Sequence, residues 1–293
     1  GNLTTGYEKS ETFAPTPDCT STFLTFILCQ LLKCYKRHFD VSQAFAQGLK
    51  LEEPVTIRFP RGVVHRDSGY THGVVDFPLY GLKISPNKWN GKVVHWVTEE
   101  FEFEGLRFKQ SLYDSCLFYI FCPPLYVFLV VHVDDFDLTY SHDEFRESFT
   151  SAFMSEFIAK DLGHLTQFLQ IQVVRKGEHG HKLHQSRQMR NILSTHGLTQ
   201  KAHEVPMNPT LNLPEPHESE LRLDLVRPTL SLLMSIMYVA KHTRCDLLFP
   251  TCYLSQFANE KRCTQKVFDA AVQVAQYGEH TADRGLDFSL LPD

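Results

Sequence analysis

The 293-residue sequence lacks the patterns that mark membrane-spanning, secreted or zinc-stabilised proteins. No apolar run reaches the roughly 20 residues that cross a bilayer as a helix, so no membrane partner is expected. The eight cysteines include no C-x-x-C pair and mostly lie in apolar segments, which is typical of buried thiols in a reducing compartment. No signal-peptide pattern and no internal repeat are visible. An intracellular protein without disulfides or structural zinc is therefore predicted.

The sequence also lacks the net positive charge of many nucleic-acid-binding proteins, because its formal charge is −5. The charge is unevenly distributed along the chain. Eight acidic and two basic residues lie between 134 and 161, whereas six basic residues and one acid lie between 175 and 201. Acidic residues suit metal ions and basic residues suit phosphates, so this separation favours an enzyme of nucleic acids. The alternative is that Arg187, Arg190 and their neighbours form only a solvated helix face.

Composition and periodicity predict a globular α+β protein of one large or two smaller domains, with 43% hydrophobic and 12% aromatic residues. Helices are predicted at 23–35, 86–97, 144–157, 189–195, 230–241 and 265–277. Strands are predicted at 37–41, 55–59, 74–79, 116–120, 126–133 and 166–174, with an unpaired strand from 285. The His179-x-His181-x-x-His184 cluster lies in a glycine-rich turn and is interpreted as an exposed loop rather than a metal site.

Three aspartates are candidate ligands of a catalytic metal site. Asp134 and Asp135 follow the apolar run 125–133 and precede a second apolar-polar stretch, which predicts a hairpin with two carboxylates at its tip. Asp40 ends a different apolar stretch. Such carboxylates repel one another unless a cation neutralises them, and this set is the one that a two-metal phosphoryl-transfer site needs. The alternative is that Asp134 and Asp135 merely supply turn chemistry.

Several further motifs occur in a fixed order and carry a resemblance to a known family. They are ETFAP (11–15), FDVSQAFAQG (39–48), LYGLKISPNKW (79–89), D-x-CLF (114–118), VDD (133–135), DLGHLTQFLQI (161–171), VPM (205–207) and the stretch 227–257. With these motifs, the chain resembles the reverse transcriptase of copia-type retrotransposons over nearly its whole length.

The resemblance implies a reverse-transcriptase palm, in which an antiparallel sheet is backed by helices, followed by a thumb-like region and a helical carboxyl-terminal tail. The implied domains are partial fingers and palm (1–165), a thumb-like basic region (166–205), a linker (206–228) and a helical connection segment leading toward a ribonuclease H domain (229–293). The four prolines in 206–216 favour an exposed linker. The family's basic finger strands precede ETFAP, so the fingers are expected to be incomplete.

The resemblance also implies a reaction. Asp40, Asp134 and Asp135 would be both the catalytic residues and the ligands of two Mg²⁺ or Mn²⁺ ions. They would direct nucleotidyl transfer from deoxynucleoside triphosphates onto the 3′-hydroxyl of an RNA or DNA template-primer. The expected location is cytoplasmic, in a virus-like particle, or nuclear, and the oligomeric state is left open.

Other positions receive roles from the same resemblance. Phe45 takes the place of the family's aromatic steric gate, which selects deoxynucleotides, although a role as one more core aromatic is the alternative. Lys83 and Ile84 would border the substrate. Contacts with nucleic acid are expected from Lys88, Trp89, Arg175, Lys182, Arg187 and Arg190.

Two departures from the family's motifs bear on activity. Ile84 stands where the family has a glutamine, and His132 replaces the tyrosine before the paired aspartates. The alternative function is therefore a non-catalytic, decayed or repurposed module that keeps the fold and binds nucleic acid. Weak or no primer extension by this chain is expected.

Overall fold

The apolar runs predicted as strands pair into antiparallel sheets with helices packed beside them, so the chain has the mixed α and β character that was predicted. The computed structural model describes residues 12–66 and 68–289. The chain divides into two units between Leu165 and Thr166. Glu11 of the first motif and Leu290 of the strand predicted at 285–290 lie outside the described residues.

Six strands of the first unit form one antiparallel sheet in the order β4–β5–β6–β7–β1–β8, and two more form a separate hairpin. The strands are β1 (Tyr35–Val41), β2 (Val55–Arg58), β3 (His72–Val75), β4 (Lys109–Gln110), β5 (Leu117–Cys122), β6 (Leu125–His132), β7 (Asp135–Tyr140) and β8 (Ala159–Gly163). The helices are α1 (Cys19–Leu31), α2 (Ser85–His95) and α3 (Asp143–Glu156), with a 3₁₀ turn at Ala44–Gln47 and a π-helical turn at Trp96–Glu100.

A ladder of phenylalanines on α3 covers one face of this sheet. Phe145, Phe149 and Phe153 recur every four residues and therefore lie on one side of the helix. The Phe149 ring lies 5.7 Å from Phe39 of β1, and the Phe153 ring lies 4.9 Å from Phe136 of β7. Burial of each such ring contributes about 1.5–3 kcal/mol. This core holds β1 against β7, the two strands that carry the acidic residues.

The opposite face of β1 and β7 is polar and is covered by α1. Lys36 Nζ donates to Asp137 Oδ2 at 2.7 Å, to Thr139 Oγ1 at 2.9 Å and to Thr25 Oγ1 of α1 at 3.0 Å. Phe26 of α1 places its ring 4.1 Å from the same ammonium. Both charges of this ion pair are fully buried. The pair therefore ties the helix and the two strands together.

Helix α1 begins four residues before its predicted start. Asp18 is the N-cap, and its carboxylate accepts from the Thr20 backbone N–H at 2.7 Å. Thr22 and Thr25 of α1 are buried. The apolar run marked the helix, but a cap is a local hydrogen bond that several polar residues can make.

The second unit packs four helices beside a four-stranded antiparallel sheet in the order β12–β11–β10–β9. The strands are β9 (Gln167–Phe168), β10 (Ile171–Lys176), β11 (Gly180–His184) and β12 (Gly285–Asp287). The helices are α4 (Ser186–Thr195), α5 (Leu223–His242), α6 (Leu248–Ser255) and α7 (Gln265–His280), with 3₁₀ turns at Glu218–Glu220 and Cys245–Leu247.

Three local predictions for this unit were wrong. The strand predicted at 166–174 is interrupted because Leu169 and Gln170 have positive φ angles of 50° and 64°. The histidine cluster is not an exposed loop, since His181 and His184 lie on β11, where His181 is buried, and only His179 lies in the turn before it. The strand predicted to lack a partner is β12, which pairs with β11. Its partner lies about a hundred residues away, so no local pattern could indicate the pairing.

The segment 206–216 is not a free linker between two bodies. Both its flanks belong to the second unit, and Met207, Leu211 and Leu213 pack against the core formed by α4, α5, α6 and α7. Alternation along an extended chain turns Leu211 and Leu213 to the same side. The segment therefore lies on the surface of one unit and contacts its core.

Helix α5 begins before its predicted start and continues through Pro228, which lies in its second turn. Among the described residues, α5 alone has the length and apolar composition of a membrane-spanning helix. It places Leu232, Leu233 and Ile236 in the core of the second unit, as a core helix does.

Candidate active site

Strands β1 and β7 bring two of the three aspartates side by side. The register pairs Asp40 directly with Asp135, and directly opposed residues of antiparallel strands project to the same face with Cβ atoms about 4.5–5.5 Å apart. Asp134 lies in the turn between β6 and β7, and its carbonyl accepts from the Val41 N–H at 2.8 Å. All three side chains are half-buried. The fold thus collects carboxylates that lie about 95 positions apart in the sequence.

The turn that carries Asp134 has a strained backbone. Val133 adopts a left-handed φ of 53°, which is unfavourable for a β-branched residue. Its carbonyl accepts a hydrogen bond from Trp89 Nε1 at 2.6 Å. Trp89 is itself buried, with its ring 5.4 Å from that of Phe157. This corrects the prediction of Trp89 as a nucleic-acid contact: the side chain lies inside the unit and supports the acidic turn.

The electrostatics of the site follow from this crowding. Burial raises the pKa of the Asp134 carboxyl above its usual range, and the negative charges of Asp135 and Asp40 raise it further. His38 Nε2 lies 3.1 Å from Asp135 Oδ1, so the ring can donate a hydrogen bond to that carboxylate from β1. The Asp135 carboxylate therefore has His38 as a neighbouring donor, whereas the folded protein disfavours the negative charge of Asp134.

The donor set fits a hard divalent cation. It consists of carboxylate oxygens, and a cation would relieve the repulsion by which Asp135 and Asp40, in addition to burial, raise the pKa of Asp134. Within residues 12–66 and 68–289, no group of three or more His, Cys, Asp or Glu side chains is placed so that it could hold a metal ion by itself. Magnesium is typically bound by one or two carboxylates together with substrate phosphates, so an open set of this kind suits it.

A lysine beside the site was missed by sequence reasoning. On the other side of β1, the register pairs Asp40 with Lys160 of β8. Asp135, Asp40 and Lys160 thus form a row across three strands, and Lys160 is exposed. Its one sequence signal was its position just before the motif that begins at Asp161. The pairing with Asp40 is visible only in the sheet.

Phe45 lies close to the acidic turn on the 3₁₀ turn Ala44–Gln47. Its ring is half-buried and lies 4.8 Å from the ring of Tyr80. It also lines a shallow pocket with Trp89 and Val133. One side of the Phe45 ring therefore faces this pocket, close to Val133, which precedes Asp134.

The other predicted substrate contacts differ in accessibility. Lys83 is exposed, but the Ile84 side chain is buried, because this apolar residue packs inward where the chain enters α2. This corrects the assignment of Ile84 to the substrate surface. Lys88 is paired with Glu52, with Nζ 2.7 Å from Oε1. Of the three, Lys83 is thus the side chain that a substrate can reach without displacing a partner.

The predicted basic residues of the second unit lie on β10, β11 and α4. Arg175 donates to the carbonyls of Gly177 and Glu178 and so stiffens the β10–β11 turn. Lys182 is half-buried on β11, whereas Arg187 and Arg190 are exposed on α4. Of these four, Arg190 alone forms an ion pair with a described residue, at 2.9 Å from Asp283.

Comparison with known proteins adds independent findings. The family model described as reverse transcriptase (RNA-dependent DNA polymerase) matches residues 4–209, a range that contains the three aspartates. The chain is 26% and 27% identical to the retrovirus-related Pol polyproteins from transposons RE1 and RE2 of Arabidopsis thaliana, over 97% of this chain and 19% of each polyprotein. The Pol polyprotein from transposon TNT 1-94 of Nicotiana tabacum is 26% identical over 58% of this chain and 12% of its own length. The chain thus spans about a fifth of the length of the first two relatives.

Proposed function

The chain belongs to the reverse transcriptase (RNA-dependent DNA polymerase) family, and from this premise we propose that its first unit is the palm of a copia-type polymerase that extends a primer along an RNA or DNA template. The observation that carries the proposal is the direct pairing of Asp40 with Asp135 beside the turn residue Asp134. The 166–205 region would act as the thumb, with its basic residues toward the template-primer backbone.

The proposed chemistry divides between bound ions and side chains. Two Mg²⁺ or Mn²⁺ ions, when bound, would activate the primer 3′-hydroxyl and neutralise the triphosphate. Asp40, Asp134 and Asp135 would hold them, and the crowding of these carboxylates favours occupancy by a cation. Lys160, exposed beside Asp40, would offer a positive charge to the triphosphate. Trp89 would keep the acidic turn in position through its bond to Val133.

Primer extension tests the proposal. The chain would be assayed on a poly(rA) template with an oligo(dT) primer in Mg²⁺ or Mn²⁺, and weak nucleotide addition is the expected result. The alternative is a non-catalytic module, which the departures from the family's motifs at Ile84 and His132 favour. It predicts template-primer binding without extension under both metal ions.

The steric-gate role of Phe45 can be tested by Phe45→Val. Removing most of the ring should leave deoxynucleotide addition in place, because Phe45 is no metal ligand, and should raise the use of ribonucleotides by about 10-fold or more. The measurement is the ratio of ribonucleotide to deoxynucleotide addition. Phe103→Val is the control, since Phe103 packs against Phe145 in the core. An unchanged ratio in Phe45→Val would make the ring a packing residue.

The role of the basic residues of α4 can be tested through salt dependence. Arg187→Ala should weaken template-primer binding and reduce the slope of log K against log salt by roughly 1, because one phosphate contact is lost. Arg190→Ala should have a smaller effect, since this guanidinium is already paired with Asp283. Arg222→Ala is the control, because Arg222 is held by Asp224. Equal slopes in all these proteins would show that α4 is only a solvated face.

A further inference from the structure

The hairpin of β2 and β3, together with its loop 59–71, is strongly basic and has no role in the site described above. Within 55–75 it carries the three arginines Arg58, Arg61 and Arg66 and a single acid, Asp67. Asp67 lies outside the described residues. None of the three arginines forms an ion pair or a side-chain hydrogen bond with a described residue. These exposed guanidinium groups are therefore available to an external anion.

Acidic residues at the base of the hairpin do not neutralise the arginines. Glu52 is occupied by Lys88 at 2.7 Å, and Asp76 is occupied by Lys50 at 3.0 Å. Both carboxylates thus have cationic partners outside the hairpin. The positive charge of the hairpin remains uncompensated by these neighbours, in a chain whose overall formal charge is −5.

The strands give this hairpin two distinct faces. The register pairs Arg58 with His72, and both side chains are exposed on one face. On the other face Val55 and Val75 are paired and half-buried, and the Phe59 ring covers Gly73 so closely that a Cβ there would lie 2.9 Å from it. The basic face is therefore the one that the hairpin leaves toward solvent.

The loop 59–71 has hydrogen bonds of its own. The Phe59 N–H donates to Thr71 O, and the His65 N–H donates to Tyr70 O, each at 2.9 Å. The Tyr70 side chain is 70% exposed. An exposed aromatic ring thus belongs to the same loop as the exposed Arg61 and Arg66.

Exposed arginines together with an exposed tyrosine favour a single-stranded nucleic acid as the partner. Guanidinium groups bind phosphodiester oxygens, and an exposed tyrosine ring stacks on a base whose face is free. Base faces are free in a single strand and hidden in a duplex. An acidic protein surface would satisfy the arginines, but it would offer no base to the Tyr70 ring.

The base of the hairpin is connected to the support of the acidic turn. Just before β2, the Leu49 N–H donates to Lys88 O of α2 at 3.2 Å. The next residue of α2 is Trp89, which holds the Val133 carbonyl. A nucleic-acid strand bound to the hairpin would thereby be linked through α2 to the turn that carries Asp134.

We propose that the β2–β3 hairpin binds the single-stranded part of a template nucleic acid. The identification of this nucleic acid as a template rests on the proposed polymerase function. The binding itself needs neither metal ions nor catalysis. Arg58, Arg61 and Arg66 contact the phosphates, and Tyr70 stacks on a base.

The test measures binding of the full chain to a labelled single-stranded oligonucleotide in EDTA, by fluorescence anisotropy at several salt concentrations. Replacing all three arginines with alanine should weaken binding and reduce the magnitude of the salt slope by roughly 2, since each phosphate contact on a single strand contributes about 0.7. Tyr70→Ala should weaken binding by about 10-fold and leave the slope unchanged, because stacking releases no counterions.

The control is Arg107→Ala with Lys109→Ala, which removes two cations from another part of the same unit and should leave affinity and slope unchanged. Thermal unfolding should be the same in all variants, because the replaced side chains are exposed. Unchanged single-strand binding in the triple arginine variant would overturn the inference. Equal loss of affinity for acidic phospholipid vesicles and for the oligonucleotide would also overturn it, because the surface would then bind any polyanion.

Primer extension separates this inference from the proposed function. If the native chain extends a primer and the triple arginine variant binds single strands normally, the hairpin inference fails and the polymerase stands. If the native chain shows no extension but loses single-strand binding on removal of the arginines, the hairpin inference stands and the polymerase proposal fails.

Discussion

Asp134→Asn is expected to lower primer extension by at least about 100-fold and, at neutral pH, to stabilise the metal-free protein. The loss of activity follows because one negative ligand would be removed from the proposed metal site, where charge neutralisation is the main catalytic contribution. The gain in stability follows from the raised pKa of Asp134, which burial and the charges of Asp135 and Asp40 produce. The ionised Asp134 side chain would thus lower the stability of the metal-free protein, although the proposed metal site needs it.

The sign of the stability effect can be worked out from that pKa. A carboxyl whose pKa is raised in the folded state contributes stability at low pH and loses that contribution as pH rises through the folded value. Asparagine does not ionise, so Asp134→Asn should be more stable than the native chain at pH 7. The difference should shrink as pH falls through the raised pKa of Asp134 and should be lost below the ordinary aspartate pKa.

Three measurements check this prediction: primer extension, Mn²⁺ binding followed by electron paramagnetic resonance, and thermal unfolding at pH 7 and at low pH. Mn²⁺ binding is measured in parallel because extension by this chain is expected to be weak. Asp143→Asn is the control, since Asp143 is exposed at the start of α3 and pairs with Arg146. Full extension by Asp134→Asn would remove Asp134 from the site, and lower stability at pH 7 would mean that its carboxylate supports the turn.

Lys36→Met is expected to destabilise the first unit by about 3–5 kcal/mol. The substitution removes the cation and leaves the Asp137 carboxylate buried without its ion-pair partner, and Asp137 Oδ1 already has no hydrogen-bond partner among the described residues. An uncompensated buried charge is among the most costly changes that a single substitution can make. The double variant Lys36→Met with Asp137→Leu should recover most of the loss, because no charge then remains buried.

Urea unfolding of the first unit would measure these differences. Lys50→Met is the matched control, since Lys50 pairs with Asp76 at 3.0 Å in an exposed position, where an ion pair contributes about 0–1 kcal/mol. A cost for Lys36→Met no larger than that of Lys50→Met would contradict the burial of the pair. Failure of the double variant to recover would show that hydrogen bonds to Thr25 and Thr139 matter more than the charge.

Much of the structure of the first unit follows from local patterns. The apolar run before Asp134 predicted a strand and a turn, and the structure has β6 (Leu125–His132) and a turn there. The four-residue spacing of phenylalanines makes α3 a helix with one apolar face, and its observed bounds differ from the prediction by one residue at each end. Such patterns are sufficient because turn chemistry and side-chain periodicity depend on neighbours in sequence.

The set of carboxylates, the strands that carry them and the family whose motifs surround them were all predictable from local sequence patterns. Which side chains oppose one another depends on the folded chain: Asp40 lies beside both Asp135 and Lys160, and Trp89 points into the unit toward Val133. The pairing of β12 with β11 across a hundred residues was decided in the same way. Strand register and burial depend on partners that are distant in the chain, and for that reason no local pattern specifies them.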